Sequence, residues 1–178
     1  MKRIIVNDTN IFVELLELGV LERFFTLPWE IYTTDFVMLE LLREGLSEKV
    51  EMYSNGNLLK IIKFDEEELL NIIDFWQQYK RRTNMSLNDC SAWYFAKKHQ
   101  FLLLTSNRML EPALYAGEEV QGILYVIDQL IKESVLSKQI AISKIKLLGM
   151  SNPRLPKDEI EKRVKQWEKE IKEEGGSI

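Results

Sequence analysis

The stretch IIVNDTNIFVELLELG, residues 4–19, decides the fold class. It opens with a short β-branched run that ends at Val6, and four polar residues follow at 7–10. Apolar side chains then recur with the spacing of an α-helix, at Ile11, Leu15, Leu18 and Leu21. This order predicts a strand followed directly by a helix, with Asp8 and Asn10 at the carboxyl end of the strand.

The same order of strand and helix repeats along the chain. Further strands are predicted at 31–34, 58–64, 101–105 and near Val120. Helices are predicted to start at about residues 35, 65, 86, 109, 123, 137 and 157. Strands separated by helices pair in parallel, and the helices cover both faces of the sheet. We therefore predict a three-layer α/β/α fold around a five-stranded parallel sheet, with a C-terminal helical extension.

The same pattern divides the chain into an α/β domain at 1–133 and the helical extension at 134–178. In the extension, apolar residues recur at helical spacing among Glu and Lys, at Ile160, Val164, Trp167 and Ile171. A helix of this kind packs its apolar face on a surface, here the chain's own domain or a partner subunit. We favour packing on its own domain.

Composition excludes several classes of function. The chain has 24 Lys and Arg against 28 Asp and Glu, a net charge of -4, so any contact with nucleic acid needs a local basic patch. One Cys and one His exclude a disulfide framework and a Cys/His zinc site. The start of the chain lacks the apolar core of a signal peptide, and no apolar run reaches membrane length. We expect a cytoplasmic protein that makes no membrane contact.

Polar residues converge on one predicted edge of the sheet, because the carboxyl ends of parallel strands meet there and bind ligands. These residues are Asp8, Asn10, Glu40, Asp89, Thr105 and Asn107. Clustered carboxylates raise one another's pKa unless a cation neutralises them, which favours a hard divalent metal such as Mg²⁺ or Mn²⁺. Such a metal activates water for attack on a phosphodiester.

Each of these residues also has a purely structural interpretation. Asp8 and Asn10 are typical N-cap residues, and Asp89 completes a Ser-x-x-Asp capping box. Glu40 fits the solvent side of its helix, and Asn107 fits a turn after a strand. Only convergence of the residues on one pocket supports a functional site.

Four stretches together resemble the PIN domain, a family of metal-dependent ribonucleases that includes toxins of many prokaryotic toxin–antitoxin pairs. They are residues 4–19, VMLELL at 37–42, SLNDCSAWYFAKKH at 86–99 and FLLLTSNRML at 101–110. The resemblance covers about residues 2–131 and agrees with the predicted five-stranded sheet.

The resemblance implies a catalytic group of Asp8, Glu40, Asp89 and Asn107, of which Asp8, Asp89 and Asn107 hold Mg²⁺ or Mn²⁺. Asn107 stands where the family usually has Asp. An amide supplies a ligand oxygen but neither a negative charge nor a base, so we expect weakened metal binding and activity. Asn10 and Thr105 are expected to contact substrate.

The function implied is a metal-dependent ribonuclease, with RNA as substrate and an antitoxin-like protein or a second copy of the chain as partner. Arg108, Arg81 and Arg82 are the candidates for binding RNA phosphates. A second hypothesis is a degenerate module that binds RNA or protein without hydrolysis. A phosphoacceptor receiver-like domain is disfavoured, because no Lys follows the fourth strand at Thr105.

Overall fold

A computed structural model describes residues 2–6, 8–83, 85–106 and 117–175. Its five strands pair in parallel in the order β3-β2-β1-β4-β5. They are β1 (Lys2–Val6), β2 (Trp29–Thr34), β3 (Leu59–Ile62), β4 (Leu102–Leu104) and β5 (Val120–Gln121). In the centre of the sheet, Ile4 lies opposite both Ile31 and Leu102. The mixed α/β class predicted from the sequence is confirmed.

Helices connect the strands and form the C-terminal part. Before β4 they are α1 (Thr9–Glu17), α2 (Leu21–Phe24), α3 (Asp35–Arg43), α4 (Ser47–Asn55), α5 (Glu66–Thr83) and α6 (Leu87–His99). After β5 they are α7 (Ile123–Lys132), α8 (Lys138–Ser151) and α9 (Lys157–Gly175). The helix predicted from about Met109 lies outside the described residues.

The sheet separates two hydrophobic clusters. Side chains alternate between the faces of a strand, so Leu102 and Leu104 join one cluster and Leu103 joins the other. The larger cluster receives side chains from α1, α3 and α7, and the smaller one is built mainly from α6 with aromatic rings of α5. Helices therefore cover both faces of the sheet. The polar residues that follow the strands lie at its carboxyl edge.

The C-terminal helices pack on the larger cluster. Ala141, Ile145 and Leu148 of α8 and Ile160, Val164 and Trp167 of α9 are all buried in it. The helices approach closely at Gly149, where a Cβ atom would lie 2.8 Å from Cδ1 of Ile160. The Arg163 guanidinium on α9 pairs with Asp128 on α7, at 2.9 Å between Nη2 and Oδ2. Residues after 133 therefore share the core of the α/β part.

The structure differs from the predictions in its smaller helices and in the burial of α3. The pattern did not predict α2 or α4. The apolar side chains of Leu39, Leu41 and Leu42 predict that most of these residues are buried. Only Leu41 is buried, and the other two are more than half exposed. The buried face of α3 is formed by Val37, Met38 and Leu41, so Leu39 and Leu42 lie on the other side of the helix.

No helix within the described ranges is both long enough and apolar enough to cross a bilayer.

Candidate functional site

Asp8 lies where β1 ends and α1 begins, and its carboxylate joins two strands at the edge of the sheet. Oδ1 accepts a hydrogen bond from the backbone N–H of Ile11 at 3.1 Å, so Asp8 is the N-cap of α1. Oδ2 accepts from the Thr105 hydroxyl at 3.4 Å, directly after β4. Because β1 and β4 are neighbours, the first and fourth strands deliver these groups to one place, as the sequence pattern predicted.

The electrostatic environment of Asp8 is unusual. Burial raises the pKa of its carboxyl to about 6, and the negative charges of Asp89 and Glu14 act in the same direction. Hydrogen bonds from Ile11 and from the side chain of Asn10 act against this rise. Asp8 is only 4% exposed. The ionised form is therefore costly, which is the condition under which a carboxylate gains most from a nearby cation.

Asp89 forms the helix cap that the sequence predicted, and it also lies near Asp8. It lies in the first turn of α6, where Oδ2 accepts from the backbone N–H and the hydroxyl of Ser86 at 3.1 and 2.8 Å. In return, the Ser86 hydroxyl accepts from the Asp89 N–H at 3.1 Å, which completes a capping box. The side chain is buried and close enough to Asp8 to raise its pKa. A cap and a candidate ligand are thus the same residue.

Glu40 contacts Asn88, the residue that precedes Asp89. Its Oε2 accepts from the Asn88 side-chain amide at 3.2 Å, which links α3 to the start of α6. Beneath this contact the hydroxyls of Thr34 and Ser91 lie 3.1 Å apart, and Ser91 donates to the Asn88 carbonyl at 2.7 Å. Two layers of hydrogen bonds therefore fix α3 against α6.

Glu14 is a buried acid that the sequence analysis missed. It is 4% exposed, and its two oxygens accept from the Ser106 hydroxyl at 2.6 Å and from the Asn152 amide at 2.7 Å. Burial raises the pKa of the Glu14 carboxyl, whereas the two donors lower it. A signal was present, because Glu14 directly precedes Leu15 in the apolar pattern of its helix. An acid on a buried face requires partners.

The remaining predicted residues divide into two groups. Asn10 is exposed beside Asp8, at the mouth of the site. Asn107 and Arg108 lie outside the described residues, and so do the side chains of Arg81 and Arg82 at the end of α5. The neighbouring Lys80 places its ammonium 4.3 Å from the centre of the Trp76 ring.

The donor set matches a divalent cation in its chemistry. Asp8 and Asp89 supply carboxylate oxygens, and burial raises the pKa of Asp8, with the negative charge of Asp89 acting in the same direction. Among the described side chains, no three His, Cys, Asp or Glu residues are grouped closely enough to hold a metal. A two-carboxylate site in this part of the chain would need oxygens from other groups to complete it.

The chain was compared with families, with curated proteins and with solved structures. No curated protein matches the chain. One chain of a toxin–antitoxin complex from Klebsiella pneumoniae is similar in structure, with 19% sequence identity and a TM-score of 0.41, over 62% of this chain and 91% of that one. A family model described as a PIN domain matches residues 4–169. Since this match extends over nearly the whole sequence, the chain belongs to the PIN domain family.

Proposed function

We propose that the protein is a metal-dependent ribonuclease that hydrolyses phosphodiester bonds of RNA. The observation that carries the proposal is the buried Asp8 carboxyl, which is held beside Thr105 at the sheet edge and has its pKa raised in part by Asp89. Family membership supports the same reading. A buried acid pair of this kind is stabilised when a divalent cation binds between its members.

Asp8, Asp89 and Asn107 would hold Mg²⁺ or Mn²⁺. When bound, the cation activates water and stabilises charge on the phosphate that is attacked. The chain's own contribution is orientation. Thr105 and the N–H of Ile11 fix the Asp8 carboxylate, and Ser86 fixes that of Asp89. We assign Glu40 to the catalytic group because its carboxylate accepts a hydrogen bond from Asn88, the residue that precedes Asp89.

For substrate binding we propose Asn10 and Thr105 at the site, together with Arg108, Arg81 and Arg82 for the RNA phosphates. A net charge of -4 leaves recognition of the RNA backbone to such local cations. In this division of the chain, residues 1–133 carry the site and residues 134–178 form a helical extension. We further propose that the protein acts in the cytoplasm as the toxin of a toxin–antitoxin pair. An antitoxin-like protein and a second copy of the chain are its proposed partners.

Cleavage of an RNA panel tests the activity. We expect cleavage with millimolar Mn²⁺, loss of cleavage with EDTA, and loss of cleavage in Asp8→Asn. Asp74→Asn is the matched control. It makes the same chemical change at a residue that is exposed on α5, away from the site. Intact RNA at every Mn²⁺ concentration would reject the nuclease function.

The alternative is a degenerate module, and Asn107 is the observation that favours it, because an amide replaces a charged ligand there. In that case RNA or a protein partner binds equally well with and without metal. The substitution Asn107→Asp separates the two functions. It should increase the affinity for Mn²⁺ in calorimetry if position 107 supplies a ligand, and leave it unchanged if not.

A further inference from the structure

Glu14 is a buried carboxylate that has no role in the proposed reaction. It lies on α1, the helix that Asp8 caps, and it binds two segments that are distant in sequence. One is Ser106, in the two described residues that directly follow β4, 105–106, which we call the loop after β4. The other is Asn152, the C-cap of α8 in the C-terminal extension. A buried acid that joins an active-site loop to an appended element is a candidate positioning residue.

The first contact acts on the site through neighbouring residues. Ser106 donates to Glu14 at 2.6 Å, and the preceding Thr105 donates to Asp8 at 3.4 Å. The backbone N–H of Thr105 also donates to the carbonyl of Gln121 on β5 at 2.9 Å. Two consecutive loop residues are therefore attached to two acids of one helix, and a shift of Ser106 would move the hydroxyl that holds Asp8.

The second contact comes from the extension, and its direction is fixed. The Asn152 side-chain oxygen accepts from the N–H of Arg154 at 3.1 Å, so its NH₂ group faces Glu14 and donates at 2.7 Å. The backbone N–H of Asn152 donates to the carbonyl of Leu148 at 2.8 Å, which ties it to α8. A further contact joins α8 to the same helix, from the Lys144 ammonium to the carbonyl of Leu18.

The two contacts depend on each other because Glu14 is buried. A carboxylate removed from water is stable only while hydrogen-bond donors replace its hydration. Loss of Asn152 leaves one oxygen of Glu14 without the donor observed here. The side chain would then turn toward water or another donor, away from Ser106.

We infer that Asn152 of the C-terminal extension positions the loop after β4 at the active site by holding Glu14. The extension then helps to set the geometry of the site, in addition to packing on the core. The catalytic consequence rests on the proposed ribonuclease function, whereas the positioning of the loop does not.

Three variants test the bridge formed by Asn152, Glu14 and Ser106. Asn152→Ala removes the donor, and Ser151→Ala is the matched control, because the adjacent Ser151 hydroxyl donates to Leu148 of its own helix. The double variant Glu14→Gln with Asn152→Asp exchanges donor and acceptor. Its new amide at position 14 donates to the new carboxylate at position 152 and still accepts from Ser106.

The first readout is hydrogen–deuterium exchange of peptides covering 102–106, measured with EDTA so that no activity is needed. Asn152→Ala should speed exchange there several-fold and leave β3 unchanged, and the double variant should restore slow exchange. Ser106→Ala breaks the bridge from its other end and should reproduce the effect if Asn152→Ala fails to fold. Unchanged exchange in these single variants, or no rescue in the double variant, would overturn the bridge.

The second readout is RNA cleavage with Mn²⁺. Asn152→Ala should lower kcat by about tenfold, because the Thr105 hydroxyl that holds Asp8 is displaced. The double variant should regain most of kcat. If the wild-type chain cleaves no RNA but the exchange pattern is as expected, the ribonuclease function fails and the bridge stands. Normal kcat in Asn152→Ala together with fast exchange would show that the loop position does not govern catalysis, which would overturn the inference.

Discussion

The carboxylate of Asp8 makes two different contacts, one with each of its oxygens. Oδ1 caps α1, as expected for an Asp before a helix, and Oδ2 faces Thr105 and the rest of the site. A cap on the protein surface would keep an ordinary pKa. The raised pKa of Asp8 arises because the same residue is buried beside Asp89.

This burial predicts how stability depends on pH in metal-free protein. The pKa of Asp8 is about 6 in the folded state and near 3.8 in the unfolded chain, so the folded state binds more protons between these values. Stability should therefore fall as pH rises from about 4 to about 6, by up to about 3 kcal/mol from this group alone. Above that window the contribution is constant.

Asp8→Asn isolates this effect, because all other groups titrate in both proteins. With EDTA, the variant should gain about 1–3 kcal/mol over wild type at about pH 7.5, and clearly less at about pH 4.5. Denaturant unfolding of both proteins at the two pH values measures the difference. An equal stability difference at both pH values would mean that the pKa of Asp8 is ordinary and that burial does not destabilise its ionised form.

Cys90 provides a second prediction at the scale of single residues. It follows Asp89 in α6 and is fully buried, and burial raises the pKa of its thiol to about 12. In the native protein it should not react with a disulfide reagent at mildly alkaline pH, because almost no thiolate is present. In concentrated guanidinium the thiol should react completely. Fast reaction of the native chain would show that the start of α6 opens readily.

The sequence predicted part of the site at this scale. Asp8, Asp89 and Thr105 were identifiable because each follows a strand or opens a helix, positions at which topology brings residues together. The partners of Glu14 were not, since Ser106 and Asn152 lie 92 and 138 residues away from it and no local pattern marks them. Spacing also could not show that Glu40 contacts Asn88.

At the scale of elements, the start of α6 connects helix stability to the site. Ser86 and Asp89 form the capping box, so the carboxylate next to Asp8 is also the one that holds the first turn. The position of the Asp89 carboxylate and the stability of α6 are therefore coupled.

Ser86→Ala should lower the free energy of unfolding by about 1 kcal/mol, the usual cost of a lost N-cap. It should also reduce Mn²⁺-dependent cleavage, because the Asp89 carboxylate loses the hydrogen bond from the Ser86 hydroxyl and keeps only the one from the backbone N–H. Ser137→Ala is the matched control, since Ser137 caps α8 through Ile140 away from the site. It should cost similar stability and leave cleavage unchanged. Equal activity losses in both variants would mean that stability alone explains the effect.

Element prediction succeeded where a strand is β-branched and a helix has a clear cap, as for β1 and α1. It failed for α4, whose sequence SEKVEMYSN has few apolar residues and whose N-cap position, Leu46, makes no side-chain hydrogen bond. Tertiary packing of Val50, which is fully buried, stabilises that helix instead. A four-residue helix such as α2 carries no periodic signal at all.

For the whole molecule, the central question is whether the C-terminal helices belong to one folding unit with the sheet. The amphipathic pattern predicted the last helix and favoured packing on its own domain, but it did not identify the residues that the helix covers. The structure places Trp167 in the same cluster as Ile4 and Ile31, so the helix packs on its own chain.

Trp167→Ala should destabilise the whole chain by about 3–5 kcal/mol, because a large side chain is removed from a closed core. Thermal unfolding should remain a single transition at lower Tm. The exposed Lys165→Ala on the same helix is the control and should change little. Two separate transitions, or an unchanged Tm in Trp167→Ala, would show that the extension folds and unfolds apart from the sheet.

Anomalous X-ray diffraction from a crystal soaked in Mn²⁺ tests the metal site itself. We expect one anomalous peak between the carboxylates of Asp8 and Asp89, at the carboxyl edge of β1 and β4. A crystal with no peak there, or with manganese only at carboxylates elsewhere on the surface, would contradict the metal site on which the proposed ribonuclease depends.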